Sequence, residues 1–205
     1  MAGRPRAALA AVALGLLAAV IDGGAAAQTA DRRLQDFFGS YVGVAEVDNA
    51  RSDEGRERDM DIEIVPYDGD GFRIQWINVT KVNGRRDVPG VQRSVSEVRF
   101  KPAANGKGFF IEVPRSSPFR EREKTTPMRG DPVRWAAIGG NSLYVYSFVV
   151  LPDGRYELQI YERERTARGI DLEFQRIVDG EVVRRITGRT VAVGMAPEEG
   201  TAGLE

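Results

Sequence analysis

The sequence predicts an all-β chain: an antiparallel up-and-down barrel of about 8–10 strands with a short N-terminal helix, a two-sheet β-sandwich being the alternative. Two observations carry this. Apolar and polar residues alternate with a period of two in most segments, as in Met60-Asp61-Ile62-Glu63-Ile64 and Phe72-Arg73-Ile74-Gln75-Trp76. Short turn signals separate those segments: Asp68-Gly69, Asn83-Gly84, Pro89-Gly90, Asn105-Gly106, Gly139-Gly140, Asp153-Gly154 and Asp179-Gly180. Charges on one face of most strands argue against an outer-membrane barrel, which needs an apolar outward band.

The first residues read as an address. Arg4 and Arg6 precede an apolar run from Ala7 to Ile21, and Ala25-Ala26-Ala27 offers small residues for cleavage. The run is shorter than the roughly 20 residues of a membrane span. We therefore expect a signal peptide over 1–27, a single β-barrel domain over 28–195, a disordered tail over 196–205, and a periplasmic or secreted bacterial protein without a membrane span in its mature form.

Of the 205 residues none is Cys and none is His. Disulfides, Ser-His-Asp and Cys-His catalysis, haem ligation by His and ordinary zinc or copper sites are thereby removed. No EF-hand spacing occurs either, so neither a metal nor a cofactor is expected. The formal charge of −1, without a polybasic tail, gives no reason to expect nucleic acid as partner.

Along the chain, Thr29 to Phe38 is predicted helical, with Leu34, Phe37 and Phe38 at helical spacing and Gly39 at the stop. Gly39 to Val47 is the first strand, and Asn49 to Asp59 reads as a charged, solvated connection. Asp59, Asp61 and Glu63 are expected on the wet face of the next strand, paired with Arg73 across a hairpin. A strand from Val91 to Phe100 and another from Phe109 to Val113 precede the longest irregular section, Pro114 to Pro132. Four prolines interrupt that section and its charge is net positive, so it is either a solvated excursion or a binding loop. Val133 to Ile138 is a further short strand carrying Trp135.

The stretch from Asn141 to Val193 can be registered in more detail. Pro152-Asp153-Gly154 closes a three-residue hairpin loop that pairs Leu151 with Arg155. It sets Tyr144 opposite Glu162, Tyr146 opposite Ile160, Phe148 opposite Leu158 and Val150 opposite Tyr156. This mostly apolar face is expected inside, leaving Arg155, Glu157, Gln159 and Arg163 wet. At Asp179-Gly180 a three-residue loop pairing Ile177 with Glu181 is preferred over a two-residue loop. It keeps Ile170, Leu172, Phe174 and Arg176 on one face with Val182, Arg184, Ile186 and Gly188. Arg176, Arg184 and Glu162 then lie on the apolar side, either as an internal ion pair or snorkelling group, or as the polar lining of an open cavity.

The short helix, Gly39-Ser40-Tyr41 opening the first strand, and a final strand with Arg184, Arg185 and Arg189 resemble the calycin group, especially lipocalins. The resemblance implies a barrel carrying a small, often apolar ligand. It also implies an aromatic residue of the first strand packed under an arginine of the last; here Tyr41 stands where lipocalins have Trp, and Arg189 is the nearest partner. Fatty-acid-binding relatives insert two helices after the first strand, which the segment from Asn49 to Asp59 does not supply.

The function expected from these features is non-enzymatic binding of a small, partly apolar or anionic ligand by Trp76, Tyr144, Tyr146, Tyr156, Glu162, Arg176 and Arg184. The first alternative is a cofactor-free barrel enzyme acting on a small carboxylate. Glu162 would be its acid or base, Tyr144 its polarising group and Arg176 its anchor. The second is an envelope protein-interaction module with a filled core.

Overall fold

Alternation of apolar and polar side chains produces ten strands in the computed structural model, which describes residues 33–49, 52–82, 84–104, 108–114 and 126–194. They are β1 (Gly39–Asn49), β2 (Ser52–Tyr67), β3 (Gly71–Thr80), β4 (Gln92–Pro102), β5 (Phe109–Glu112), β6 (Val133–Gly139), β7 (Ser142–Val150), β8 (Tyr156–Arg165), β9 (Gly169–Val178) and β10 (Glu181–Ala192). Each pairs antiparallel with its sequence neighbours, and β1 pairs with β10, so the meander closes into one barrel. The sandwich alternative is thereby excluded. The architecture is compatible with a calycin-like barrel, and β2 follows β1 with no helical insertion between them.

A helical turn at residues 33–35 precedes β1; of the rest of the expected helix, Asp36 and Phe37 are turn, Phe38 is not helix, and Thr29 to Arg32 lie outside the described residues. Leu34 and Phe37 are buried against the barrel, and the Tyr41 hydroxyl donates to the Phe37 carbonyl at 2.9 Å. Beneath them Ile62, Ile64, Phe72, Ile74, Phe100, Phe110, Leu143 and Ile170 form the core. Phe72 stacks on Phe100 at 4.9 Å and meets Phe110 edge-on at 5.2 Å. Burying each such side chain contributes about 1.5–3 kcal/mol. This half of the barrel is filled.

Four expectations are corrected. The connection from Asn49 to Asp59 is mostly strand: β2 begins at Ser52 and its charged residues pair with β1, Glu57 opposite Glu46 and Asp59 opposite Val44. Solvated charge does not prevent a strand whose other side chains face the core. Arg189 does not cover Tyr41; it lies opposite Val44 and is exposed, whereas Tyr41 faces inward beside Ala192. Asp179-Gly180 forms a two-residue loop, because both residues adopt left-handed φ (49° and 84°) and such turns match the strand twist. A bulge between Val182 and Arg184 then supplies the extra residue. Arg184, Ile186 and Gly188 therefore still face inward with Arg176, Phe174 and Leu172, while Val182 pairs with Ile177 and is exposed.

The remaining turns behave as their residues require. Pro152-Asp153-Gly154 gives the expected three-residue loop, with Leu151 N–H donating to the Arg155 carbonyl at 2.7 Å and Val150 opposite Tyr156. On the outer face Arg73 bonds Glu63 at 2.6 Å. The signal peptide and the tail from Ala196 lie outside the described residues, as do 115–125 of the irregular section, whose far end is a 3-10 helix, Pro127–Arg129. Among the described residues no helix is long and apolar enough to cross a membrane.

One seam of the barrel is short. β4 and β5 pair only through Phe100–Pro102 and Phe110–Glu112, extended by Val113 N–H to the Arg99 carbonyl at 2.8 Å. β5 and β6 pair only through Phe109–Ile111 and Trp135–Ala137. Among the described residues, Gln92 to Val98 of β4 thus have a ladder on the β3 side alone.

The opposite seam is tight. A Cβ at Gly43 would sit 1.9 Å from the Arg189 carbonyl oxygen. Gly43→Ala is expected to lower the unfolding free energy by about 1–3 kcal/mol or more, as overpacking does, whereas Ser94→Ala on an exposed strand should change it by less than about 0.5 kcal/mol. Urea unfolding of the two variants checks this.

Candidate functional site

Below the aromatic core the inner wall becomes polar, and β8 is the strand responsible. Its inward residues are Glu157, Gln159, Tyr161 and Arg163, set opposite Val178, Arg176, Phe174 and Leu172 of β9. Its outward residues are Tyr156, Leu158, Ile160 and Glu162. The inside and outside assigned to this hairpin from sequence are therefore reversed, although its register is as expected. Leu143 and Val145 of β7 and Ile170 and Leu172 of β9 are buried. Neighbouring residues in a ladder share a face, so β8 must turn its own polar side inward.

Arg163 is the centre of the site. It is 1% exposed, and its Nε and Nη1 have no hydrogen-bond partner. Its guanidinium carbon lies 5.6 Å from the ring centroids of both Trp76 and Tyr161, which supply cation–π contact in place of a carboxylate. Burial pushes its pKa down to about 10, so it remains charged at neutral pH. Arg184 Nε is also buried without a partner. Arg58, Arg163 and Arg184 line a chamber of about 170 Å³, together with Asn78, Trp76 and Tyr161 and the apolar walls Met60, Leu172, Phe174 and Ile186. Among the described residues no carboxylate lines it.

Among the described residues, the one buried carboxylate of this inner face is already committed. Glu157 accepts from Arg176 Nε and Nη2 at 2.8 and 2.5 Å and from Gln159 at 2.6 Å, and the Tyr161 hydroxyl donates to Gln159 at 2.8 Å. Burial alone would raise the Glu157 pKa, but the bonds from Arg176 and Gln159 outweigh it and hold the carboxyl below its usual range. This chain of contacts fixes the Tyr161 ring against Trp76, 5.4 Å away, and against Phe174, 4.7 Å away.

A second space of about 390 Å³ adjoins the first at the same two rings. It runs from Trp76 and Tyr161 past Gln159 and Ser147 to the short seam. There Ser96 and Val98 of the inner face of β4 and Glu97 and Arg99 of its outer face all border it. Both faces of one strand can line a cavity only at that strand's edge, so among the described residues this space reaches the side of the barrel.

Of the residues singled out from sequence, Trp76 and Arg184 face the chamber, and Arg176 faces inward but is bound to Glu157 at the chamber's far end. Tyr144, Tyr146, Tyr156 and Glu162 are on the outside. Tyr146 stacks on Trp135 at 5.1 Å, and Tyr156 on Phe148 at 6.1 Å. Glu162 accepts from Ser142 and Tyr144, both at 2.8 Å, beside an outer groove of about 520 Å³ that also holds Glu46, Glu164, Asp171 and Glu173. Glu162 and Tyr144 thus meet on the outside while Arg176 faces inward, and the enzymatic trio is not assembled. Among the described residues no group of three or more carboxylates is arranged to hold a metal ion.

Arg58, Asn78, Tyr161 and Arg163 were not anticipated. The available signal was the turn from Thr166 to Gly169, where the Thr166 Oγ accepts from Gly169 N–H at 3.0 Å. That turn pairs Arg165 with Ile170 and so places Arg163 beside Leu172. No protein-family model matches the chain, and no curated protein matches it.

A buried cation without a counter-charge is costly, and an apolar residue of similar volume often stabilises by about 1–4 kcal/mol. Arg163→Met is expected to raise the ligand-free protein's urea midpoint at pH 7; a lower midpoint would show that Arg163 stabilises the fold. Glu157 behaves in the opposite sense. Its folded pKa is depressed, so its contribution is complete above the usual Glu pKa and is lost as pH falls through the folded value. Glu157→Gln should be less stable than the parent at pH 7, with the difference shrinking below about pH 4, as thermal melts across pH would record.

Proposed function

We propose that the barrel binds a small anion carrying more than one negative charge, a phosphate or a dicarboxylate, in the arginine-lined chamber. The observation that carries this reading is Arg163: almost wholly buried, charged at neutral pH, and presenting two unpartnered donor nitrogens, Nε and Nη1. Charge-assisted hydrogen bonds from guanidinium nitrogens to carboxylate or phosphate oxygens are about twice as strong as neutral ones. Arg184 supplies a further buried donor. Water occupies about 30 Å³ per molecule, so a chamber of about 170 Å³ suits an anion of a few heavy atoms. Met60, Phe174 and Ile186 shield the charges from solvent and strengthen the attraction.

This is carriage or sensing rather than turnover: two of the three residues expected to do chemistry lie outside the barrel. With the export leader expected over 1–27, the protein would act as a periplasmic binder. Isothermal titration with inorganic phosphate and with succinate tests the reading. At least one should bind with one site per chain, and Arg184→Gln should weaken it about 10–100-fold, the worth of one charge-assisted hydrogen bond. Absence of binding by both anions would refute the proposal.

A further inference from the structure

We propose that the natural ligand is an elongated anion with a hydroxylated, uncharged body, of the sugar phosphate or sugar acid class. Its charged end sits in the arginine chamber and its body in the side vestibule. The inference rests on the anion reading above and extends it to the rest of the ligand.

The two spaces share Trp76 and Tyr161, so a molecule whose anionic end reaches Arg163 has these two rings beside its next atoms. Flat aromatic faces fixed in place suit the C–H faces of a sugar ring; the Tyr161 ring is held by its hydroxyl on Gln159. Beyond the rings, the character of the lining changes. The vestibule's charges neutralise one another locally: Arg134 bonds Glu112 at 3.0 Å, and Glu97 bonds Arg99 at 2.8 Å and Arg73 at 3.3 Å. Among the described residues the charged side chains that line it sum to zero, with none left over to attract a second ionic group. What the wall offers instead is Ser96, Ser147 and Gln159, short neutral donors and acceptors, over a floor of Val98 and Val145. An alkyl chain would desolvate those groups and the ion pairs beside them without replacing their hydrogen bonds, which is unfavourable. Hydroxyl groups replace them.

The same geometry gives the route. The vestibule meets solvent at the part of β4 that, among the described residues, has no ladder toward β5. Among the described residues, this edge gives a ligand a way in sideways, anion first, without opening the filled aromatic end.

Titration with two matched pairs tests the inference: glucose 6-phosphate against octyl phosphate, and glucarate against suberate. Within at least one pair the hydroxylated member should bind at least tenfold more tightly than its alkyl counterpart and than the bare anion, inorganic phosphate or succinate. Ser96→Trp, which fills the vestibule, should remove that advantage and leave the affinity for the bare anion unchanged. If Ser96→Trp loses its thermal transition, Ser96→Leu serves the same comparison. A larger gain for the alkyl members, or no gain from either body, overturns this inference while the anion reading stands. Failure of every anion, bare or extended, overturns both.

Discussion

Ring closure is the constraint on which the rest of this molecule depends. In an antiparallel ladder, residues opposite each other share a face, and here ten ladders join end to end. The inward parity of every strand is thus tied to that of its neighbours, all the way round. Shifting one strand by a single residue would expose its neighbours' partners or bury their charges on both sides. β8 shows how strong this coupling is. Taken alone, its apolar set is Leu158 and Ile160 with Tyr156, and burying these would gain about 1.5–3 kcal/mol apiece. They remain outside, because β7 and β9 together commit Leu143, Val145, Ile170 and Leu172 to the core. The outward side chains recover part of the loss by stacking on one another across strands.

What this forces inward is the polar side of β8, and the chamber is its result. A fully filled barrel would have no place for Arg163. The structure divides the interior instead: large apolar side chains close the end beneath Leu34 and Phe37, and three arginines, three aromatic rings and a few aliphatic walls surround the space below. The division also separates roles. Glu157 and Arg176 neutralise each other and position Tyr161 through Gln159, whereas Arg163 and Arg184 keep donors in reserve.

Much of the fold was legible in the sequence, for local reasons. Strand existence followed from period-two alternation, and Pro152-Asp153-Gly154 set a register that the structure reproduces pair for pair from Tyr144 opposite Glu162 to Val150 opposite Tyr156. The inward placement of Arg176 and Arg184 was also legible, though for an incomplete reason: the extra residue lies in a bulge at Val183, not in the turn. The face of the 144–162 hairpin was not legible, since each of its strands carries apolar residues and the deciding information sits in the ladder to β9. The start of β2 was hidden by its charges, because a solvated strand and a solvated loop have the same composition. Arg163 was hidden for a related reason: an arginine alternating with polar residues reads as surface unless the neighbouring strands are placed first.

The short seam at β5 gives the barrel an uneven mechanical character. Nine of the ten strands have seven or more residues, and β5 has four. A closed hoop yields first at its narrowest link, and free energies of local opening track the number of bonds to be broken. Deformation should therefore concentrate where β4 leaves β5, while β1, β10 and β9 turn as a stiff arc around their close glycine contacts. The molecule is better pictured as a clasp than as a cup: a spring of strands with a single catch, the polar interior lying directly behind it.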